Sequence, residues 1–138
     1  MANKYILDAC ALAAFFNDEE GADVVQHILL EADEAKAQIY MNKLNLFEVY
    51  YGIRREEGLQ KAEEIYDMTK RLPITVIDGI SDDVFREAGR IKSSYKMSLA
   101  DSIALGEAYV MDASIITSDH HEFDVVAKHE AIRFKWIR

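Results

Sequence analysis

The chain has 138 residues, half of them apolar and 30% charged, a composition and size that fit one compact domain over residues 1–138. A single proline and the lack of a low-complexity tract exclude extended disorder. The 16 Lys and Arg against 25 Asp and Glu leave a net charge of −9, which excludes nucleic-acid binding by phosphate neutralisation alone but not a nucleic-acid enzyme whose carboxylates gather around metal ions.

In chain order, Tyr5-Ile6-Leu7 is the first short apolar run and predicts a buried strand. Ala9–Phe16 follows as an apolar helix start; it falls far short of the ~20 residues a membrane span needs. With no signal-peptide pattern ahead of it, a cytoplasmic protein without membrane association is expected. Cys10, the one cysteine, permits no internal disulfide, fits a reducing compartment and is expected to pack in the core. Residues 19–34 predict a helix with Val24, Val25, Ile28 and Leu29 on its apolar stripe. Ile39-Tyr40-Met41 predicts the second strand, and 43–57 a helix with Leu44, Phe47, Tyr51 and Ile53 inward.

Residues 59–71 predict another helix, with Ile65 and Met68 inward, before a third buried strand at Ile74-Thr75-Val76-Ile77. Ser81 or Asp82 caps a helix through Tyr95 carrying Val84, Phe85, Ala88 and Ile91, and 98–111 form an Ala- and Leu-rich helix. Ile115-Ile116-Thr117 is the fourth strand, 121–129 a short helix, and Ile132–Trp136 an alternating strand at a sheet edge. Strands alternating with helices imply an α/β fold, a three-layer α/β/α sandwich with parallel pairing and right-handed crossovers.

In such a sheet the strands end on one edge, where ligands bind. Asp8 follows the first strand and Asp119 the fourth, while Glu48 lies about two turns into the helix leaving the second. The 98–111 helix joins the fourth strand through Asp112-Ala113 alone, so its first turn, with Asp101, points back to the same edge. The 81–95 helix also leaves that edge, so it is expected to lie crosswise or near the mouth. Four carboxylates in one mouth repel, and hard divalent cations with oxygen preference resolve the repulsion. Such an ion also activates water for phosphodiester hydrolysis.

Plainer readings exist for each acid. Asp8 is a good N-cap for the helix at Ala9, Ser98-Leu99-Ala100-Asp101 reads as a capping box, and Asp119 suits a turn. Glu48, between Phe47 and Val49, is hardest to assign to a solvated face. His120 and His121 lack a His-Glu-x-x-His partner, since Val125 stands four after His121, and read as a solvated loop. Arg54 and Arg55 suit ion pairs with Glu56 and Glu57, Tyr51 suits core or interface, and Arg133, Lys135 and Arg138 give the last strand a basic outer face suited to solvent or RNA. No dinucleotide fingerprint, P-loop or nucleophile elbow is present.

Four segments carry a family resemblance. Tyr5-Ile6-Leu7-Asp8, Asn45–Gly52, Ser98–Leu105 and Ile116–Phe123 resemble, in order, the motifs of PIN-domain proteins, and specifically VapC-type toxins. The resemblance implies a five-stranded parallel sheet in order 3-2-1-4-5, with Asp8 and Asp119 neighbours at the switch point. It implies a Mg²⁺- or Mn²⁺-dependent endoribonuclease in which Asp8, Glu48 and Asp101 match the three central acids and Asp119 the fourth. Thr117 or Ser118 matches the accompanying hydroxyl, and Glu122 is an additional candidate for a second metal. Asp8, Asp101 and Asp119 would hold the ion, with Glu48 positioning it or orienting the attacking water. A homodimer, an RNA substrate and a cognate VapB-like antitoxin entering the active-site groove are implied as well. A PIN nuclease with a housekeeping role in RNA processing, and an inactive binding module of this fold, remain alternatives.

Overall fold

The computed structural model describes residues 2–138. The elements are β1 (Asn3–Leu7), α1 (Ala9–Phe16), α2 (Ala22–Asp33), β2 (Ala37–Asn42), α3 (Lys43–Glu57), α4 (Leu59–Arg71), β3 (Thr75–Ile77), α5 (Asp82–Ser94), α6 (Leu99–Val110), β4 (Ser114–Thr117), α7 (His120–His129) and β5 (Arg133–Trp136). The strands form one five-stranded sheet in order β3-β2-β1-β4-β5, with all pairs parallel. Helices cover both faces, giving the expected α/β/α sandwich. On one face Leu7 packs with Leu12, Val25, Leu46 and Ile65; on the other, Ile6 packs with Leu105, Ile115, Phe123 and Val126. Adjacent Ile6 and Leu7 serve opposite layers because successive strand side chains alternate faces. No helix among the described residues is long and apolar enough to cross a membrane.

Order 3-2-1-4-5 makes β3 an edge strand as well as β5. The expectation of a fully buried third strand is therefore corrected: Thr75 is exposed, with Val76 and Ile77 half-buried. Its apolar run arises because Ile74 and Val76 pack, partly buried, against the core cluster that Tyr66 and Leu72 also join. The inward faces of three helices also differ from expectation. On α3 the buried residues are Asn45, Leu46 and Val49, while Phe47 and Tyr51 meet at the surface as a tilted pair, 5.3 Å between centroids. On α4 Ala62, Ile65 and Thr69 face inward and Met68 does not; on α5 Phe85 is exposed. In each case a residue one or two positions from the true stripe satisfied the apolar pattern without lying on the buried arc.

Of the two placements expected for the helix after β3, crosswise or near the mouth, the crosswise one is not found. α5 runs antiparallel on α6, with Lys92 Nζ donating to the Met97 carbonyl at 2.8 Å near the hairpin end. Gly106 permits the close approach, since a Cβ there would stand 3.1 Å from the Ala88 backbone nitrogen and 3.2 Å from the Val84 carbonyl. α5 thus covers α6 from outside and returns the chain to the carboxyl edge, where α6 starts. Gly21 solves a separate problem: at φ 97° it starts α2 against the Ile137 carbonyl, where a Cβ would clash at 2.7 Å.

Candidate active site

Asp8 stands where β1 ends and α1 begins. Its Oδ1 accepts the Ala11 N–H at 2.9 Å, so the residue is an N-cap as its position alone suggests. It is also 2% exposed. The cap is thus buried at the centre of the carboxyl edge. Parallel pairing of β1 with β4 sets Leu7 beside Ile116, and the Asp8 N–H donates to the Ile116 carbonyl. This brings Thr117, fully buried, next to Asp8. The Thr117 hydroxyl hydrogen-bonds the Asp8 carboxylate and accepts the Asp119 N–H at 3.0 Å. Burial raises the Asp8 carboxyl to about 6; bonds from Thr117, Ala11 and Cys10 oppose the rise, and the charge of Asp119 adds to it.

Asp119 caps α7, its Oδ1 accepting the Glu122 N–H at 3.1 Å. Asp101 lies in the first turn of α6, where its N–H donates to Ser98 Oγ at 3.2 Å. Burial raises its carboxyl to about 7, and Asp8, Asp119 and Glu48 each add repulsion, against the Ser98 bond. Glu48, half-buried on α3, is itself raised by burial. All four acids therefore act on Asp101 or are Asp101. Among the described residues none of the four is ion-paired to Lys, Arg or His.

The donor set suits a hard cation: several carboxylates uncompensated by the chain, with Asp8 and Asp101 raised first by burial and then by neighbouring carboxylates. No group of three His, Cys, Asp or Glu among the described residues stands as a ready-made cage. Mg²⁺ needs no such cage, since it keeps several waters and is held by one or two carboxylates with substrate phosphates.

The auxiliary candidates separate. Thr117 is an integral part of the mouth. Ser118 Oγ lies 3.4 Å from Cys10 Sγ. Glu122 lies in the first turn of α7 and lines an adjoining cavity with Tyr95, Met97, His121 and Val125. Cys10 was expected to pack in the core. Instead it is half-buried in the polar mouth, its thiol donating to Asp8 Oδ1 at 3.2 Å and lying 3.4 Å from Thr117 Oγ1. Burial, then the Asp8 charge, raise this thiol to about 11, so it remains a neutral donor. Its position two after Asp8, with α1 beginning between them, was the available signal.

The other expectations fare variously. Arg55 lies over the Tyr51 ring at 5.5 Å, and neither Arg54 nor Arg55 pairs with Glu56 or Glu57. Arg133 and Arg138 pair with Asp112 and Glu19, which neutralises much of the expected basic face of β5. His120 opens α7 and does not lie in the expected loop; exposed, it stacks on Trp136 at 3.9 Å between centroids and bonds to Asp124 and the Arg138 carbonyl. Among the buried polar residues, Asn42, Asn45 and Glu107, all within 3% exposure, lie at the seam of α3 and α6, and no motif assigned them a role individually. Glu107 was legible in one respect, as the lone acid inside the apolar stretch Ile103–Ala108.

A PIN-domain family model matches residues 5–129. The chain belongs to the PIN-domain family. The matched span contains all four acids and the sheet from Tyr5 of β1 through β4. Among solved structures, the PIN fold here resembles DNA-bound VapBC from Salmonella typhimurium, with TM-score 0.72, 16% identity and 99% of each chain covered. It also resembles a toxin–antitoxin complex from Klebsiella pneumoniae, with TM-score 0.60, 22% identity, 86% of this chain and 89% of that one covered. A sarcin-ricin-loop-cleaving VapC toxin of Mycobacterium tuberculosis matches with TM-score 0.57, 13% identity, and 80% and 86% covered. At these identities the likeness is one of fold. No curated protein gives a significant match.

Proposed function

We propose that this PIN protein is a divalent-metal-dependent endoribonuclease and the toxin of a VapBC-type toxin–antitoxin pair, one nuclease domain over residues 1–138. The observation that carries the reading is Asp101: its carboxyl is raised by burial and by Asp8, Asp119 and Glu48 together, at a sheet edge where no side-chain cation pairs with them. In this reading Asp8, Asp101 and Asp119 hold Mg²⁺ or Mn²⁺, directly or through water, and Glu48 positions the ion or orients the attacking water. When bound, the ion supplies an acidified water and neutralises charge building on the phosphodiester.

The chain supplies the rest. The Ala11 N–H and Thr117 hydroxyl hold the Asp8 carboxylate, and helix caps fix Asp101 and Asp119. Cys10, neutral at physiological pH, offers a hydrogen bond rather than a nucleophile. RNA as substrate is supported by the toxin of the same fold that cleaves the sarcin-ricin loop, and a VapB-like antitoxin by the VapBC and toxin–antitoxin complexes. A homodimer is supported by the exposed Ile80, Phe85 and Leu99, which share one surface groove on α5 and α6. The reducing cytoplasm is the compartment in which such an RNase meets its substrate.

The test incubates wild type and Asp101→Ala with total RNA, with and without Mn²⁺, and sequences the new ends. Discrete Mn²⁺-dependent ends produced by the wild type alone support the reading, whereas equal cleavage by both proteins opposes it. Growth arrest on expression distinguishes a toxin from a PIN nuclease that processes RNA as housekeeping.

A further inference from the structure

Two buried amides cross the seam between α3 and α6, the helices that bear Glu48 and Asp101. Asn42 Oδ1 caps α3 by accepting the Leu44 N–H at 2.9 Å. Its Nδ2 donates to Glu107 Oε2 at 3.0 Å and to the Gly79 carbonyl at 3.2 Å. Asn45 Nδ2 donates to the carbonyl of Ala100, the residue before Asp101, at 3.2 Å. Asn42, Asn45 and Glu107 are 3%, 0% and 1% exposed.

Glu107 is an expensive residue for its place. Ala104, Leu105 and Ala108 around it in sequence belong to the core, and its Oε1 has no hydrogen-bond partner. Burial raises its carboxyl to about 6. An apolar side chain of similar volume is commonly as stable or more stable at such a position, so stability does not account for a carboxylate. A mechanical role does. Like charges on Glu48 and Asp101 favour separation of α3 and α6, Glu48 being the weakest of the named charges that raise Asp101. The Asn42–Glu107 and Asn45–Ala100 bonds join the same two helices at separated points along α6 and oppose that separation.

We propose that Glu107, acting through Asn42, is a positioning residue that, with Asn45, sets the spacing of Glu48 and Asp101. The inference rests on the metal-dependent reading of the mouth and deepens it. Glu107 does not reach the reacting groups; it acts on where α3 stands.

The test measures Mn²⁺ binding to the full chain by electron paramagnetic resonance at neutral pH, together with thermal unfolding without metal. The proteins are wild type, Glu107→Leu, Asn42→Ser, and the double variant Asn42→Asp with Glu107→Gln. Glu107→Leu removes a buried charge and leaves Asn42 its bond to Gly79. Asn42→Ser keeps a good cap on α3 and loses the cross-seam bond. The double variant reverses the bond, the introduced amide donating to the introduced carboxylate. Each single variant is expected to weaken Mn²⁺ binding about tenfold or more, the cost typical of losing an orienting partner behind a metal ligand. Glu107→Leu should unfold no earlier than wild type, and the double variant should regain most of the affinity. Single variants that bind Mn²⁺ as wild type does overturn the proposal. So does an affinity loss that follows loss of thermal stability, or a double variant that regains stability without affinity. A wild type that binds no Mn²⁺ overturns the metal reading and this inference with it, and the wild-type titration alone tells that failure apart.

Discussion

After burial, the charge of Asp8 at the end of β1 is the largest cause of the raised Asp101 carboxyl in the first turn of α6. Both are raised from 3.8, Asp8 to about 6 and Asp101 to about 7. A group raised on folding contributes stability below its unfolded pKa and loses it as pH climbs through the folded value. The metal-free protein should therefore lose stability from these two groups as pH rises from about 4 to about 7. Thermal unfolding in chelator, for wild type and Asp101→Asn, isolates the effect: the variant should gain on wild type steadily across that window. A constant difference between the two would contradict it.

Replacing Asp8 tests function apart from folding. Asp8→Asn keeps an oxygen to accept the Ala11 N–H, so α1 remains capped. It removes the anionic charge at the centre of the mouth. RNA cleavage should fall by about 10²-fold or more, the scale seen when a single transition-state-stabilising group is lost. Circular dichroism should be unchanged. Wild-type cleavage by a verified nuclease-free preparation would remove Asp8 from the mechanism.

The Cys10 thiol, raised to about 11, is a neutral neighbour of Asp8. Cys10→Ser retains a donor of similar reach. Its cleavage rate should match wild type within assay error. A large loss would mean that the sulfur participates directly.

Much of this was legible because parallel α/β topology converts chain order into spatial order. Four short apolar runs and one alternating run gave the five strands, and the short Asp112-Ala113 link forced the start of α6 to the carboxyl edge. Asp8, Glu48, Asp101 and Asp119 could be placed in one mouth on that basis. What escaped was local rotation and burial. On α3 the pattern chose Phe47 and Tyr51, whereas the buried arc runs through Asn45, Leu46 and Val49, because polar Asn45 is stabilised there by a partner 55 residues away. β3 looked like a core strand because composition reveals apolarity and not whether a strand has one neighbour or two. Glu107 stands out in the sequence only as the one acid in the apolar stretch Ile103–Ala108, and its partner Asn42 is brought to it by tertiary structure alone.

Packing at α5 and α6 gives a stability prediction. At Gly106 a Cβ would already meet Ala88 and Val84 at 3.1–3.2 Å. Gly106→Leu should destabilise the protein by about 1–3 kcal/mol, the usual cost of overpacking. Urea unfolding reads this as a lowered midpoint. An unchanged midpoint would mean that α5 rides on α6 more loosely than the close approach indicates.

The most direct measurement of the central claim is anomalous diffraction from crystals of the wild type soaked in Mn²⁺. An anomalous peak within coordination distance of the Asp8 and Asp101 carboxylates, lost in Asp8→Asn crystals, is the predicted result. A fully occupied soak that places Mn²⁺ only on other surfaces, with the mouth empty, would contradict it.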